Sequence, residues 1–270
     1  MDFIFDLKGK VALITGGAGV LGSNMAATLA QNGVIVGLLG RSLDKLNAAV
    51  IKIQNQGGQA FAVQADVLNP EDLEKVKQFI LKEYHQLDIL INAAGGNRPG
   101  ATITPDQDFF NTNPDDLQKV MDLNIMGTLL PSKVFSELFA KQKSGVIINI
   151  SSASAQRPLT RVVGYSASKA AIDNFTRWMA VEMATKYGEG IRVNAIAPGF
   201  FIGEQNRALL LTPEGNLTNR GESIIAHTPM ARFGNPDDID GTLVWLCSNA
   251  SKFVTGIVVH VDGGFGAKSI

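Results

Sequence analysis

The stretch Thr15-Gly16-Gly17-Ala18-Gly19-Val20-Leu21-Gly22 decides the fold, read together with the run Val11-Ala12-Leu13-Ile14-Thr15 that leads into it. VALIT is apolar throughout instead of alternating, as expected of a strand buried on both faces of a parallel sheet. Gly17, Gly19 and Gly22 then spell G-x-G-x-x-G between that strand and a helical segment at 20–32. Glycine lets a chain turn sharply and lets backbone approach a pyrophosphate, whose charge meets the free N–H groups of a helix N-terminus. On its residues alone the segment is either such a phosphate cradle or a tight structural turn.

Outward from this turn the same pattern repeats. Apolar strand candidates fall at 34–39, 60–65, 87–92, 145–151, 190–195 and 256–261, and helical segments at 42–56, 70–84, 114–142, 165–187 and 236–250. Ser42 is placed to cap the second helix, and Pro70 opens the third with Glu71 and Asp72 at its positive end. Seven strands interleaved with helices predict a Rossmann-type, doubly wound α/β fold in a single domain over 1–270, its seven-stranded parallel sheet flanked by helices on both faces. The connections at 95–113, 153–164 and 199–235 are the candidate substrate-determining loops, because ligands of such sheets sit outside the strands' carboxyl ends.

Composition narrows the classes further. The 270 residues carry 24 Lys and Arg against 25 Asp and Glu, so no polyanion and hence no nucleic-acid partner is expected. Cys247 is the one cysteine, which excludes an internal disulfide and a multi-cysteine zinc site, and no metal is expected. No secretory leader and no membrane-length apolar run is read, so a cytoplasmic protein is expected.

An acidic residue about 20 positions beyond the glycines would select NAD through its ribose hydroxyls. The second strand instead ends Leu39-Gly40-Arg41-Ser42. Arg41 and Ser42 suit a 2′-phosphate, so NADP(H) is favoured and NAD(H) is possible. The alternative reading leaves Arg41 a solvated charge. Farther on, Tyr165-Ser-Ala-Ser-Lys169 puts a phenol and an ammonium one turn apart on a helix. A tyrosine ordinarily titrates near 10, and a nearby ammonium favours its phenolate, which would tune it for proton exchange with an alkoxide or alcohol.

Taken together, TGGAGVLG at 15–22, Asp66-Val67, Asn92-Ala93-Ala94-Gly95, Asn124, Ser151-Ser152, YSASK at 165–169, NAIAPG at 194–199 and VDGG at 261–264 resemble the short-chain dehydrogenase/reductase family over nearly the whole chain. The resemblance implies a catalytic tetrad of Asn124, Ser152, Tyr165 and Lys169. Ser152 would hold the carbonyl oxygen against Tyr165, Lys169 would also contact the nicotinamide ribose, and Asn124 would hold a water that links Lys169 to solvent. It implies a cofactor surface of Gly16, Gly17, Gly19, Val20, Leu21, Gly22, Arg41, Ser42, Asp66, Val67, Asn92, Ala93, Ala94, Gly95, Tyr165, Lys169, Pro198 and Gly199. Asn92 has a second reading as a tie between strands. Two positions depart from the family pattern. Val20 stands where T-G-x-x-x-G-x-G has its middle glycine, with Gly19 expected to supply the lost freedom, and Gly203 stands where a threonine often contacts the carboxamide. The resemblance also implies a homotetramer joined through the helices at 114–142 and 165–187.

The substrate loops carry arginines and amides and few large apolar groups besides Phe109, Phe110, Phe200 and Phe201. Amides suit hydroxyls and a guanidinium suits a carboxylate, so a small polyhydroxylated acid is expected, with Arg98, Arg157, Asn206 and Arg207 as candidate contacts. The Gly95-Gly96-Asn97 insertion and the lid GFFIGEQNRALLL resemble the D-mannonate oxidoreductase (fructuronate reductase) branch of the family, which implies D-fructuronate and D-mannonate. The competing readings are another polyol dehydrogenase or a 3-oxoacyl-carrier-protein reductase, and, outside catalysis, a dinucleotide-binding sensor.

Overall fold

The computed structural model describes residues 4–203 and 206–268. Its seven strands are β1 (Val11–Thr15), β2 (Ile35–Gly40), β3 (Gln59–Gln64), β4 (Ile89–Asn92), β5 (Gly145–Ile150), β6 (Ile191–Pro198) and β7 (Val258–Val261). They form one sheet in the order β3-β2-β1-β4-β5-β6-β7, and every pairing is parallel. Parallel neighbours require crossover helices, which explains why apolar runs rather than alternating ones make the strands. Ile14 and Leu38 pack with α1 (Val20–Gln31), α2 (Leu43–Asn55) and α9 (Asp240–Cys247) on one face. Leu13 and Leu39, the neighbouring residues, pack with α3 (Pro70–Tyr84), α5 (Gly127–Gln142) and α6 (Val163–Tyr187) on the other. The chain runs outward in opposite directions from β1 and β4, and the crevice beyond their carboxyl ends is the switch point where such folds bind ligands.

The departures from the sequence reading have local causes. The helix expected over 114–142 is broken into α4 (Pro114–Met121), a π-turn at Asp122–Met126 and α5. Within the turn the Gly127 N–H reaches back five residues to the Asp122 carbonyl. The Asn124 side chain takes the Val120 carbonyl at 2.8 Å, the acceptor that a regular helix would give to Asn124's own N–H. Segment 236–250 is likewise divided, into 3₁₀ turns at Pro236–Ile239 and Asn249–Ser251 on either side of α9. β6 continues past the expected 195 to Pro198, because Ala195 to Pro198 pair with β7, and a proline is tolerated at a strand's last position. Ser42 precedes α2 but its side chain makes no cap bond, whereas Asn69 caps α3 through the N–H groups of Glu71 and Asp72. The lid adds α7 (Arg207–Leu210) and α8 (Asn219–His227), and Glu204 and Gln205 lie outside the described residues. Among the described residues no helix is long and apolar enough to cross a membrane.

Below the crevice a buried polar ladder ties the layers together. Asn92 Nδ2 donates to Asn149 Oδ1 and to Ser132 Oγ, each at 2.8 Å, and Asn149 Nδ2 donates to Thr176 Oγ1 at 2.9 Å. Asn92 therefore takes the strand-tying role, joining β4 to β5 and to α5. Asn149→Ala leaves the Asn92 amide short of an acceptor in a buried place, which costs about 1–3 kcal/mol. Urea unfolding should show a lower midpoint with an unchanged slope, and an unmoved midpoint would contradict the ladder's role.

Candidate active site

The glycine turn is shaped by contacts that no larger residue allows. Gly16 has φ 65°, and a Cβ there would lie 2.9 Å from the backbone of Ala93 and Ala94. A Cβ on Gly22 would lie 2.3 Å from the Gly16 carbonyl oxygen. Gly19 sits at the helix N-cap with φ −74°, and a Cβ there would lie 3.2 Å from the Gly16 carbonyl oxygen. The left-handed bend of the turn therefore comes from Gly16, while Gly19 answers to the narrow space beside it. Val20 begins α1 with its side chain turned partly outward, where bulk is harmless. No side chain caps α1 and no acid stands in its first turn, so its leading N–H groups face the crevice edge without an internal anion. A pyrophosphate fits that cradle.

The remaining cofactor candidates line the same edge of the sheet. Arg41 and Ser42 are exposed just beyond β2. Asp66 accepts the Leu68 N–H at 3.0 Å, which folds its own turn beside buried Val67. Thr15 Oγ1 accepts from the N–H groups of both Ala93 and Ala94 at 3.1 Å and so fixes the bend after β4. A Cβ on Gly95 would lie 2.7 Å from Asn124 Oδ1 and 3.3 Å from Lys169 Nζ, so the chain passes directly over both groups. Gly199, after Pro198, is pressed against Asp262 in the same way, with 2.7 Å from its Cβ position to the Asp262 Cα.

The tetrad residues come together from β5, α6 and the π-turn. Ser152 follows β5 and lies close enough to Tyr165, on the first turn of α6, to favour its phenolate. Lys169, one turn later, is 4% exposed and donates to the Ile150 carbonyl at 2.7 Å, with its Nζ 5.6 Å from the Tyr165 ring centre. Asn124 donates to the Gly96 carbonyl at 2.7 Å and accepts the Gly96 N–H at 3.1 Å, so its amide clamps the loop over the site. Burial pushes the Lys169 ammonium down to about 8. The Tyr165 phenol moves up, not down, because burial outweighs the influence of nearby Ser152. The sequence expectation of a phenol acidified by Lys169 is thus reversed in this structure: the ammonium is turned toward Ile150 and is itself starved of solvent.

The candidate substrate contacts divide. Arg98 and Arg207 are exposed at the mouth. Arg157 is spent on the Lys268 carbonyl, and Asn206 closes a turn by accepting the Gly203 N–H and donating to the Phe201 carbonyl. His227 packs edge-on against Phe265. Sequence reasoning missed Asp173. This buried carboxylate stands one turn after Lys169 and accepts the Ser151 hydroxyl. The signal was present: Tyr165, Lys169 and Asp173 follow at four-residue steps on one face. His260 was also missed, and both its ring nitrogens are buried without a hydrogen-bond partner among the described residues.

Comparison with known proteins agrees with this geometry. The family model for short chain dehydrogenase matches residues 10–210. The uncharacterized oxidoreductase UxuB of Bacillus subtilis is 48% identical over 98% of this chain and 97% of its own. A Haemophilus influenzae structure with bound NAD, assigned provisionally as a D-mannonate oxidoreductase, superposes with a TM-score of 0.90 at 41% identity, over 98% of this chain and 97% of that one. A gluconate 5-dehydrogenase of Burkholderia cenocepacia in complex with NADP and tartrate superposes with a TM-score of 0.88 at 28% identity, over 98% of each chain.

Because Lys169 titrates near 8 when folded and near 10.5 when free, the unfolded chain holds a proton that the native state lacks between those values. Wild-type stability therefore rises with pH across that window, by about 3 kcal/mol at most. Lys169→Met lacks the rise. Thermal melts at pH 7.5 and pH 10 should show the wild type gaining on the variant, and parallel curves would contradict a neutralised buried lysine.

Proposed function

The chain belongs to the short-chain dehydrogenase family and is an NAD(P)-dependent oxidoreductase, and from this premise we propose that it moves a hydride between nicotinamide and a carbonyl or alcohol carbon of a small polyhydroxylated acid, with D-fructuronate and D-mannonate as the favoured pair. The observation that carries the chemistry is the Tyr165 phenol placed beside Ser152, with buried Lys169 on the next turn. The bound nicotinamide supplies or accepts the hydride. Ser152 Oγ holds the substrate oxygen by a hydrogen bond, so that charge developing there is met by a fixed donor. Tyr165 gives that oxygen its proton during reduction. The raised phenol is protonated at neutral pH, which suits it as an acid, and oxidation of the alcohol is favoured as pH rises. The sugar-acid reading is supported by the two solved relatives described for mannonate and gluconate chemistry, and by the arginines and amides at the crevice mouth.

NADP(H) is the favoured cofactor on two grounds. No acid stands between Leu39 and Ser42 to repel a 2′-phosphate, and the Arg41 side chain is exposed beside that place. NAD(H) remains in the reading, since the solved relatives hold one dinucleotide or the other. A homotetramer is also part of this reading. Trp178 on α6 is 60% exposed and shares an apolar hollow with Met126, Leu129 and Phe175, and Val181, three residues on, is 68% exposed; a second copy would cover this face. Light scattering at micromolar concentration tests it, and a monomer would refute it.

Tyr165→Phe removes the donor and little volume. Turnover should fall at least about 100-fold while NADPH still binds, and wild-type turnover would end the mechanism. Arg41→Ala should lower kcat/KM for NADPH at least about tenfold and leave that for NADH nearly unchanged, as expected for loss of a charge-assisted bond. Equal effects on both would refute the phosphate contact.

A further inference from the structure

We propose that Arg161 and Arg220, with Thr160 between them, form the seat for the substrate's carboxylate. The proposal rests on the sugar-acid reading and names the residues that would make the enzyme select an acid over a neutral ketose. Its first ground is position. Residues 153–162 lead directly from Ser152 to the start of α6, and Arg161 stands four residues before Tyr165. Its second is convergence. The Ile103 N–H of the long insertion donates to the Arg161 carbonyl at 2.9 Å, and Arg220 Nη1 on α8 reaches Thr160 Oγ1 at 3.4 Å. All three substrate loops therefore meet at Thr160-Arg161.

The third ground is charge. Arg220 is partly buried, and both burial and the neighbouring Arg161 guanidinium disfavour its positive form. Among the described residues no carboxylate lies within ion-pair distance of either arginine. Three other arginines are satisfied. Arg192 donates to Ser251 and Ser248, Arg157 to Lys268, and Arg232 to Asp238. Two guanidiniums that feel one another's charge are relieved by an anion between them, and a carboxylate can accept from both planar forks. Arg161 is held besides at φ 76°, a left-handed conformation that side chains with a Cβ adopt at a cost. Such conformations cluster at ligand sites, where surrounding structure maintains them. None of the three earlier carboxylate candidates combines partial burial, a like-charged neighbour and a place on the loop between Ser152 and Tyr165.

Steady-state reduction of D-fructuronate and of uncharged D-fructose by NADPH, with the full-length enzyme, tests the proposal. Arg161→Gln and Arg220→Gln should each raise KM for the acid at least about tenfold, with kcat within about threefold and the D-fructose values unmoved. Arg220→Lys should recover part of the loss. Unchanged KM for the acid in both Gln variants overturns the seat, and so does an equal loss on acid and ketose, which marks a merely structural role. A wild type inactive on every hexuronate defeats the sugar-acid reading instead. Calorimetry with D-mannonate and the NADPH-loaded protein then decides the seat alone: a wild-type affinity lost in Arg220→Gln supports it, and equal or absent binding in both proteins overturns it.

Discussion

A buried ammonium needs a partner, and much of the site follows from how Lys169 finds one. Its hydrogen bond to the Ile150 carbonyl at 2.7 Å pins α6 to the carboxyl end of β5. Asp173, one turn on, accepts the Ser151 hydroxyl and pins the helix a second time to the next residue of the same segment. With two successive turns held, the third is set: Tyr165, one turn before Lys169, meets Ser152. The helix register and the strand end thus specify each other. The proposed catalytic pair is placed by the same bonds that satisfy buried charge.

The backbone above these groups is as constrained as the side chains. Gly95 passes close enough to Asn124 and Lys169 that a Cβ would intrude on both, and Asn124 grips Gly96 by donor and acceptor together. The π-turn is what allows this. A regular helix would leave the Val120 carbonyl to Asn124's own N–H, whereas here the side chain takes it and the helix swells by one residue. The insertion that begins at Gly95 is therefore anchored at its root to the floor of the site. Its far part is tied to the Thr160-Arg161 turn through Ile103.

Electrostatically, burial drives Tyr165 and Lys169 the same way, toward neutrality. The phenol moves up and the ammonium comes down to about 8. At neutral pH the phenol therefore keeps its proton. The loops beyond this centre carry Arg98, Arg161, Arg207 and Arg220 together with Asp106, Asp108, Glu214 and Glu222.

The sequence by itself determined the elements and the chemistry that neighbours in the chain can express. Apolar runs such as VALIT are strands because nothing in them could face water, and the helices show their period; Tyr165 and Lys169 were legible as a pair because the helix spaces them. The glycine turn was legible as a cradle, although which glycine bends it was not, since that depends on Ala93 and Ala94 from a distant loop. The π-turn, the direction in which Lys169 points and the upward shift of Tyr165 came only with the fold, because burial and carbonyl acceptors are supplied by other elements. The same is true of the arginines. From the chain alone Arg157 and Arg220 look alike; tertiary contacts give the first the Lys268 carbonyl and leave the second beside another positive charge, and a guanidinium's role is set by what its neighbours leave unsatisfied.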